Sequence, residues 1–248
     1  MNFATLVERV RAILTEPATE WPVIADEPAT PAGLYKNYVA ILAAIPAVSG
    51  FVKGSLLGID VPMIGTMRIG IGAGIAAMVV GYALSLAQVY VIAIVVDALA
   101  PTFGARKDPL QALKLSAYAL TAAWVAGLAQ ILPWIGVLIV IGGGLYSIYL
   151  FYLGLPVMTK CPQQQAGSFA LVSIVAAVVL NIVSGSVVGS IAGGAPPGHI
   201  GRSDIDYTKG SPIGTLDDRS HKIENALKQA EQAQKSAPSQ TPSADADD

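Results

Sequence analysis

Apolar residues along this chain come in long uninterrupted blocks, with little alternation of period two and few amphipathic stripes of period 3.6. The longest block lies between Lys114 and Lys160 and contains no charged residue. As helix, at ~1.5 Å per residue, it would extend about 67 Å, more than twice the ~30 Å thickness of a bilayer's hydrocarbon core. Pro133, Trp134 and Gly136 fall near its middle. Two spanning helices are therefore predicted there, at 115–132 and 134–155, joined by a tight turn at one membrane face. Similar blocks predict spans at 38–57, 69–96 and 169–191. Pro46 is expected to kink the first, and Lys53 near its end to snorkel to water.

A different pattern opens the chain. Phe3, Leu6, Val7, Val10, Ile13 and Leu14 recur at spacings of three and four, with Glu8, Arg9 and Arg11 between them. This predicts an amphipathic helix too short and too charged to span. It suits the headgroup plane, or packing on the ends of the bundle. Pro17 ends it, and the residues up to Pro31 read as an extended polar connector with Trp21 as an interfacial anchor. After Gly194 the composition turns to Pro, Ser, Ala, Gln and Asp, the mark of a solvated tail. Within it one polar helix is expected over 216–235, from the capping pair Thr215 and Asp218 and the thin stripe Ile223, Leu227 and Ala230. The segment 236–248 is expected to be disordered. The fold class is thus all-α: a bundle of five transmembrane helices over 37–193, preceded by an amphipathic interfacial helix and connector over 1–36 and followed by a mostly disordered tail over 194–248.

Composition agrees. Of 248 residues 53% are hydrophobic and 13% charged, about half the charge of soluble domains. The net charge of -2 points to no nucleic-acid partner. The first residues mix charged and apolar groups, so no cleavable signal peptide is expected. The one cysteine, Cys161, excludes an internal disulfide and a multi-cysteine metal site, and both histidines, His199 and His221, lie outside the apolar blocks. No catalytic, metal or cofactor-binding residues are expected. A glycine pattern at Gly72, Gly74 and Ala77 mimics a dinucleotide-binding fingerprint, but it lies inside an apolar helix and follows no strand.

Small residues repeat every four positions in three spans: Ala73, Ala77, Gly81 and Ser85; Ala119, Ala123 and Gly127; Gly185, Gly189 and Gly193. Such ridges let helices approach closely in lipid. They predict internal packing, with a homo-oligomer contact as the alternative. Two polar residues stand out. Asn181, mid-span, is expected to hydrogen-bond to a neighbouring helix. Asp97 is expected to end the second span, balanced by interfacial water or by Arg106, Lys107 or Lys114, with a functional role as the sharper reading. With the N-terminus inside, basic residues near the spans number five (Lys36, Arg106, Lys107, Lys114, Lys160) against four outside (Lys53, Arg68, Arg202, Lys209). The basic loop at 100–114 is the best single argument for a cytoplasmic N-terminus.

The order of features carries a resemblance. An amphipathic start, Pro17, Trp21 and a polar connector precede Tyr38, which opens the first span. Phe103-Gly104-Ala105-Arg106-Lys107 follows in a loop, then Ala117-Tyr118-Ala119, then the run from Tyr146 to Leu155. Over about residues 4–192 the chain resembles the Yip family of five-span membrane proteins, named for interaction with Ypt/Rab GTPases. The resemblance implies a cytosolic N-terminus and a C-terminus on the opposite side. It links eukaryotic members to Rab GTPases and vesicle traffic. Prokaryotic members, which share this chain's short N-terminal region, are inner-membrane proteins. The family brings no catalytic residues, and the long tail departs from its pattern.

The expected function is a non-enzymatic scaffold or adaptor, acting through membrane lipids and other membrane or membrane-associated proteins. The alternative is a transporter or channel for a neutral or lipid-like substrate, since only Gln88, Gln130, Asn181 and scattered hydroxyls are polar inside the spans. An intramembrane enzyme lacks its nucleophile, base and metal sets. A membrane sensor would use 3–14.

Overall fold

The structure is a computed structural model that describes residues 3–61, 65–193, 205–207, 219 and 222–229. Two N-terminal helices, α1 (Phe3–Thr15) and α2 (Pro17–Asp26), precede five helices long and apolar enough to cross a membrane. These are α3 (Pro31–Leu57), α4 (Ile71–Phe103), α5 (Pro109–Ile131), α6 (Ile135–Thr159) and α7 (Gln163–Gly193). Three short strands, β1 (Ile59–Val61), β2 (Gly65–Ile69) and β3 (Ile205–Tyr207), form a sheet in the order β1-β2-β3.

The chain divides into two compact units. One comprises 1–59 and 68–206; the other comprises 60–67 and 207–248. In the second, residues 222–229 are helical, and Lys228 Nζ lies 2.8 Å from Glu224 Oε1, one helical turn away. Such an exposed pair contributes about 0.3–0.5 kcal/mol. The rest of the tail helix expected over 216–235, and the tail end 236–248, lie outside the described residues.

Local sequence sets the helix limits. Thr30 caps α3 by accepting the Gly33 N–H at 3.1 Å, and Pro31 occupies the first helical position, so this helix begins about two turns before Tyr38. It widens to π-helix at Tyr35–Val39 and again at Val52–Leu57, on either side of Pro46, and Gly58 ends it with φ +92°. Asp108 caps α5 by accepting from Leu110 N and Gln111 N, with Pro109 next. Gly104, at φ +63°, closes the last turn of α4. Asp97 therefore does not end the second span. Nothing from Asp97 to Ala100 breaks a helix, and α4 runs on to Leu99 and a 3-10 turn at Ala100–Phe103.

The connector before Pro31 is corrected too. Residues 17–26 are helical, and Trp21 is wholly buried, no interfacial anchor. Pro17 breaks α1 but starts α2 equally well, because the first turn of a helix needs no N–H from proline. Trp21 lies on Gly154 of α6: a Cβ at Gly154 would sit 2.5 Å from the indole and 2.8 Å from Leu115 Cδ1. The apolar side of α1 is turned onto the bundle, with Leu6 and Ile13 buried. Tyr146 of α6 donates to Leu14 O at 2.8 Å.

Helix α5 is the most buried span and the least regular. Its α-helix breaks at Leu120, resumes at Thr121–Ala126 and tightens to 3-10 at Gly127–Ile131. A freed backbone N–H at this depth has no water to turn to. Ser147 of α6 supplies the acceptor, taking the Ala123 N–H at 2.9 Å. Beside the break, Tyr38 and Thr121 share a buried hydroxyl–hydroxyl bond of 2.7 Å, and the Tyr38 and Tyr118 rings lie 4.5 Å apart.

Gly154→Val should lower the detergent-solubilised protein's stability by about 1–3 kcal/mol, the usual cost of overpacking a filled contact. Gly142→Ala, with open space around it, should leave it nearly unchanged. Thermal unfolding of both variants checks this.

Candidate functional site

The charged residues nearest the bundle gather where α2 meets the start of α5. Lys114 is only 2% exposed. Its ammonium donates to Glu27 O at 2.6 Å, Ile24 O at 2.9 Å and Ala25 O at 3.4 Å. These carbonyls lie at the C-terminal end of α2, where a helix has carbonyls without internal partners and the negative end of its dipole. Three donors meet three acceptors, so Lys114 is a cap for α2 supplied from a spanning helix. Gln111, one turn earlier on α5, donates to Ala25 O at 3.0 Å. On the other side of α2, Arg9 of α1 pairs with both Glu20 and Glu27 through separate guanidinium nitrogens. The Arg9 side chain is 14% exposed. The two N-terminal helices are thereby locked to each other by Arg9 and to the bundle by Lys114 and Trp21.

The sequence does not mark this constellation as a unit. Lys114 counts by sequence as a loop charge before the third span. One signal places it otherwise: Asp108-Pro109 is a helix start, which puts Lys114 in the second turn of the span. Nothing in the sequence marks Arg9, Glu20 and Glu27 as partners.

The same end of the bundle holds the other candidates. Asp97 is mostly buried, with Oδ2 4.0 Å from Lys107 Nζ and Oδ1 without a hydrogen-bond partner. Lys107 is thus the cation beside it, while Lys114 is occupied elsewhere. Cys161 is buried at the α6–α7 junction, its thiol 3.5 Å from Phe103 O. Arg106 N donates to Thr159 O at 2.8 Å, and the Phe103 and Phe169 rings stack 5.0 Å apart, so the basic loop is tied to the junction. Burial pushes the Cys161 thiol above its ordinary pKa. Among the described residues no group of three or more His, Cys, Asp or Glu could hold a metal ion.

The small-residue ridges lie in different surroundings. In α4, a Cβ at Gly81 would meet Val188 of α7 at 3.4 Å, and Ala77 is buried. In α5, Ala119 is buried and Gly127 lies under Pro46, whose Cβ would be 2.7 Å from an added methyl. Around Gly185, Gly189 and Gly193 of α7 there is open space. Ala73 lies at the outer end of its ridge, half-buried. Ala77, Gly81 and Ser85 border a cavity of about 440 Å³ that residues of all five spans line. Asn181 faces it, and no described residue takes a hydrogen bond from or gives one to its amide. The bond to a neighbouring helix expected of Asn181 is therefore not made.

Comparison with known proteins gives one family. The pattern of the Yip1 domain matches residues 11–185. The chain is similar to inner membrane protein YohC of Escherichia coli strain K12, at 25% identity over 166 residues, 66% of this chain and 85% of that protein. The protein of the same name in E. coli O6:H1 strain CFT073 is similar to the same extent. No solved structure matches.

Two outcomes are expected. Lys114→Met strands the Ile24 and Glu27 carbonyls, leaving Ala25 O to Gln111, and should cost about 1.5–3 kcal/mol, the range for hydrogen bonds to a charged group. Hydrogen exchange should then rise across 3–27 before it rises in α6. Arg9→Ala should loosen the same segment. Cys161 should react with a maleimide far more slowly than a free thiol at neutral pH, because burial both shields it and keeps it protonated. Its rate should climb as pH rises above the ordinary thiol range and on thermal unfolding, read by the adduct's fluorescence.

Proposed function

The chain belongs to the Yip1 domain family, and from that premise we propose that this integral, multi-pass inner-membrane protein is a non-enzymatic scaffold or adaptor. The observation that carries the reading is the state of α7. Of its 31 residues only Ala166, Phe169, Ala170 and Ser173 are buried, all in its first third. Beyond them Val175, Ile182 and Val183 are more than half exposed. Lipid covers such side chains without gain or loss, but Gly189 and Gly193 add an open small-residue flank, the feature on which a second spanning helix packs. A helix of another membrane protein, or a second copy of this chain, fits that flank. At the other end, α1 and α2 are held firmly enough to present Glu8, Arg11 and Glu16, all exposed, to a soluble partner.

The proposed orientation puts the N-terminus and the basic loop in the cytoplasm and the tail on the opposite side. Supporting it, α4 delivers Arg106 and Lys107 to the same end as Lys36, and α6 delivers Lys160 there too. Reporter fusions at residue 1 and after residue 193 should read opposite compartments.

In-cell crosslinking, mild-detergent purification through the N-terminus and mass spectrometry should recover a stoichiometric protein partner, crosslinked on α7 or on the outer face of α1. Gly189→Leu should reduce an α7 crosslink by about tenfold, the effect of ~1.4 kcal/mol. Recovery of a partner-free protein holding only lipid would overturn the adaptor reading. The alternative of passing a neutral or lipid-like substrate has one observation in its favour, the cavity at Asn181.

A further inference from the structure

Three amide side chains from the interior of the spans (Gln88, Gln130 and Asn181) line that one cavity, together with Ser55, and none of its lining residues is charged. Its volume, about 440 Å³, falls in the range of small-molecule sites, roughly 300–1,000 Å³. It is elongated: Gly74 and Gln88 both line it and stand about 21 Å apart along α4, at ~1.5 Å per residue. Ser55 and Gln130 lie toward one membrane face, and Gln88 and Asn181 lie near mid-depth. Two of these groups are unpartnered. Ser55, 8% exposed, has a hydroxyl with no hydrogen-bond partner, and Gln88 Nε2 is buried with none. Ser55 is seated directly over Gly74, where only a glycine leaves room for its hydroxyl. Packing alone gives no reason for the Gln88 amide to be left open at membrane depth, where no bulk water satisfies it.

A second cavity, about 420 Å³, shares Leu120, Ala123, Val140 and Asn181 with the first. It extends between α6 and α7, and its rim residues Ile141, Leu145 and Ile182 are more than half exposed on the lipid-facing side. Asn181 is thus the junction of a polar-studded chamber and an apolar slot that opens sideways to lipid.

We propose that the two cavities form a binding site for a neutral glycerolipid of the diacylglycerol class, its ester and hydroxyl groups on Gln88 and Asn181 and an acyl chain in the slot between α6 and α7. Each side chain matches one requirement. The Gln88 amide donates to an ester carbonyl. The Asn181 amide both donates and accepts, as a glycerol hydroxyl requires. The absence of charge among the lining residues selects against phosphate and ammonium headgroups, which at this depth would need a counter-charge. The apolar slot selects against small water-soluble alcohols, which have no chain to fill it. Ser55 and Gln130 provide hydrogen-bonding positions along the chamber toward the membrane face. The site does not depend on the adaptor reading: either can fail while the other stands.

Photo-crosslinking in nanodiscs tests it. The protein is reconstituted with diazirine-bearing diacylglycerol or, separately, with phosphatidylglycerol carrying the same acyl diazirine, irradiated, and mapped by peptide mass spectrometry. The diacylglycerol should label peptides containing Gln88, Val140 and Asn181 about tenfold more than the phospholipid does, the discrimination of roughly one charge-free hydrogen-bonded site. Gln88→Leu with Asn181→Leu should remove that excess. Gly185→Leu should also remove it by filling the chamber, since an added Cβ there has open space and leaves the fold undisturbed. This second variant decides the matter if the double variant does not fold. Equal labelling by both lipids, labelling confined to outward-facing peptides, no labelling, or an excess that survives Gly185→Leu would each overturn the proposal and leave the cavity to water.

Discussion

The ammonium of Lys114, donating to three carbonyls at the end of α2, is the interaction on which the arrangement of the N-terminal third depends. A lysine buried in an apolar span is costly unless every donor is used. Here the carbonyls offered are those that α2 cannot satisfy by itself, so one contact resolves two problems. It places the end of α2 against the second turn of α5, which in turn sets Trp21 on Gly154 and lets Tyr146 reach Leu14. Arg9 extends the same logic outward, pairing with both Glu20 and Glu27 of the α2 segment.

Below that end, packing rests on close approach. Gly154 under Trp21, Gly127 under Pro46 and Gly74 under Ser55 each admit a neighbour that a methyl group would exclude. In lipid there is no water to drive helices together, so van der Waals contact at such points carries the association. The break in α5 at Leu120 fits the same economy of satisfied groups: the Ala123 N–H that it frees is taken by Ser147.

Against this background the open places are informative. The bundle satisfies a charged lysine, a broken helix and a tyrosine–threonine pair, yet leaves Gln88 Nε2 and Ser55 without partners in a cavity and leaves one flank of the second half of α7 exposed. The uncovered flank supports a partner helix, and the polar-studded cavity supports a neutral lipid. Both are uses of the membrane phase itself.

The sequence by itself determined that the chain is a five-span helical membrane protein of this family, because a block of some twenty apolar residues has one stable solution in a bilayer, and the order of Trp21, Phe103-Gly104-Ala105 and the tyrosine-rich helix is a linear property. By sequence the first and third spans start at 38 and 115, whereas the helices begin at Pro31 and Pro109, where Thr30 and Asp108 cap them. Tertiary structure alone decided that residues 17–26 are a helix docked through a buried Trp21, that Lys114 belongs to the core and Asp97 to Lys107, and that Asn181 opens onto a cavity with Gln88. These are pairings across many residues of separation, between groups whose local patterns look like ordinary surface charges or isolated polar residues. Hydrophobic patterning reports how each residue meets water or lipid; it holds no record of which other residue it meets.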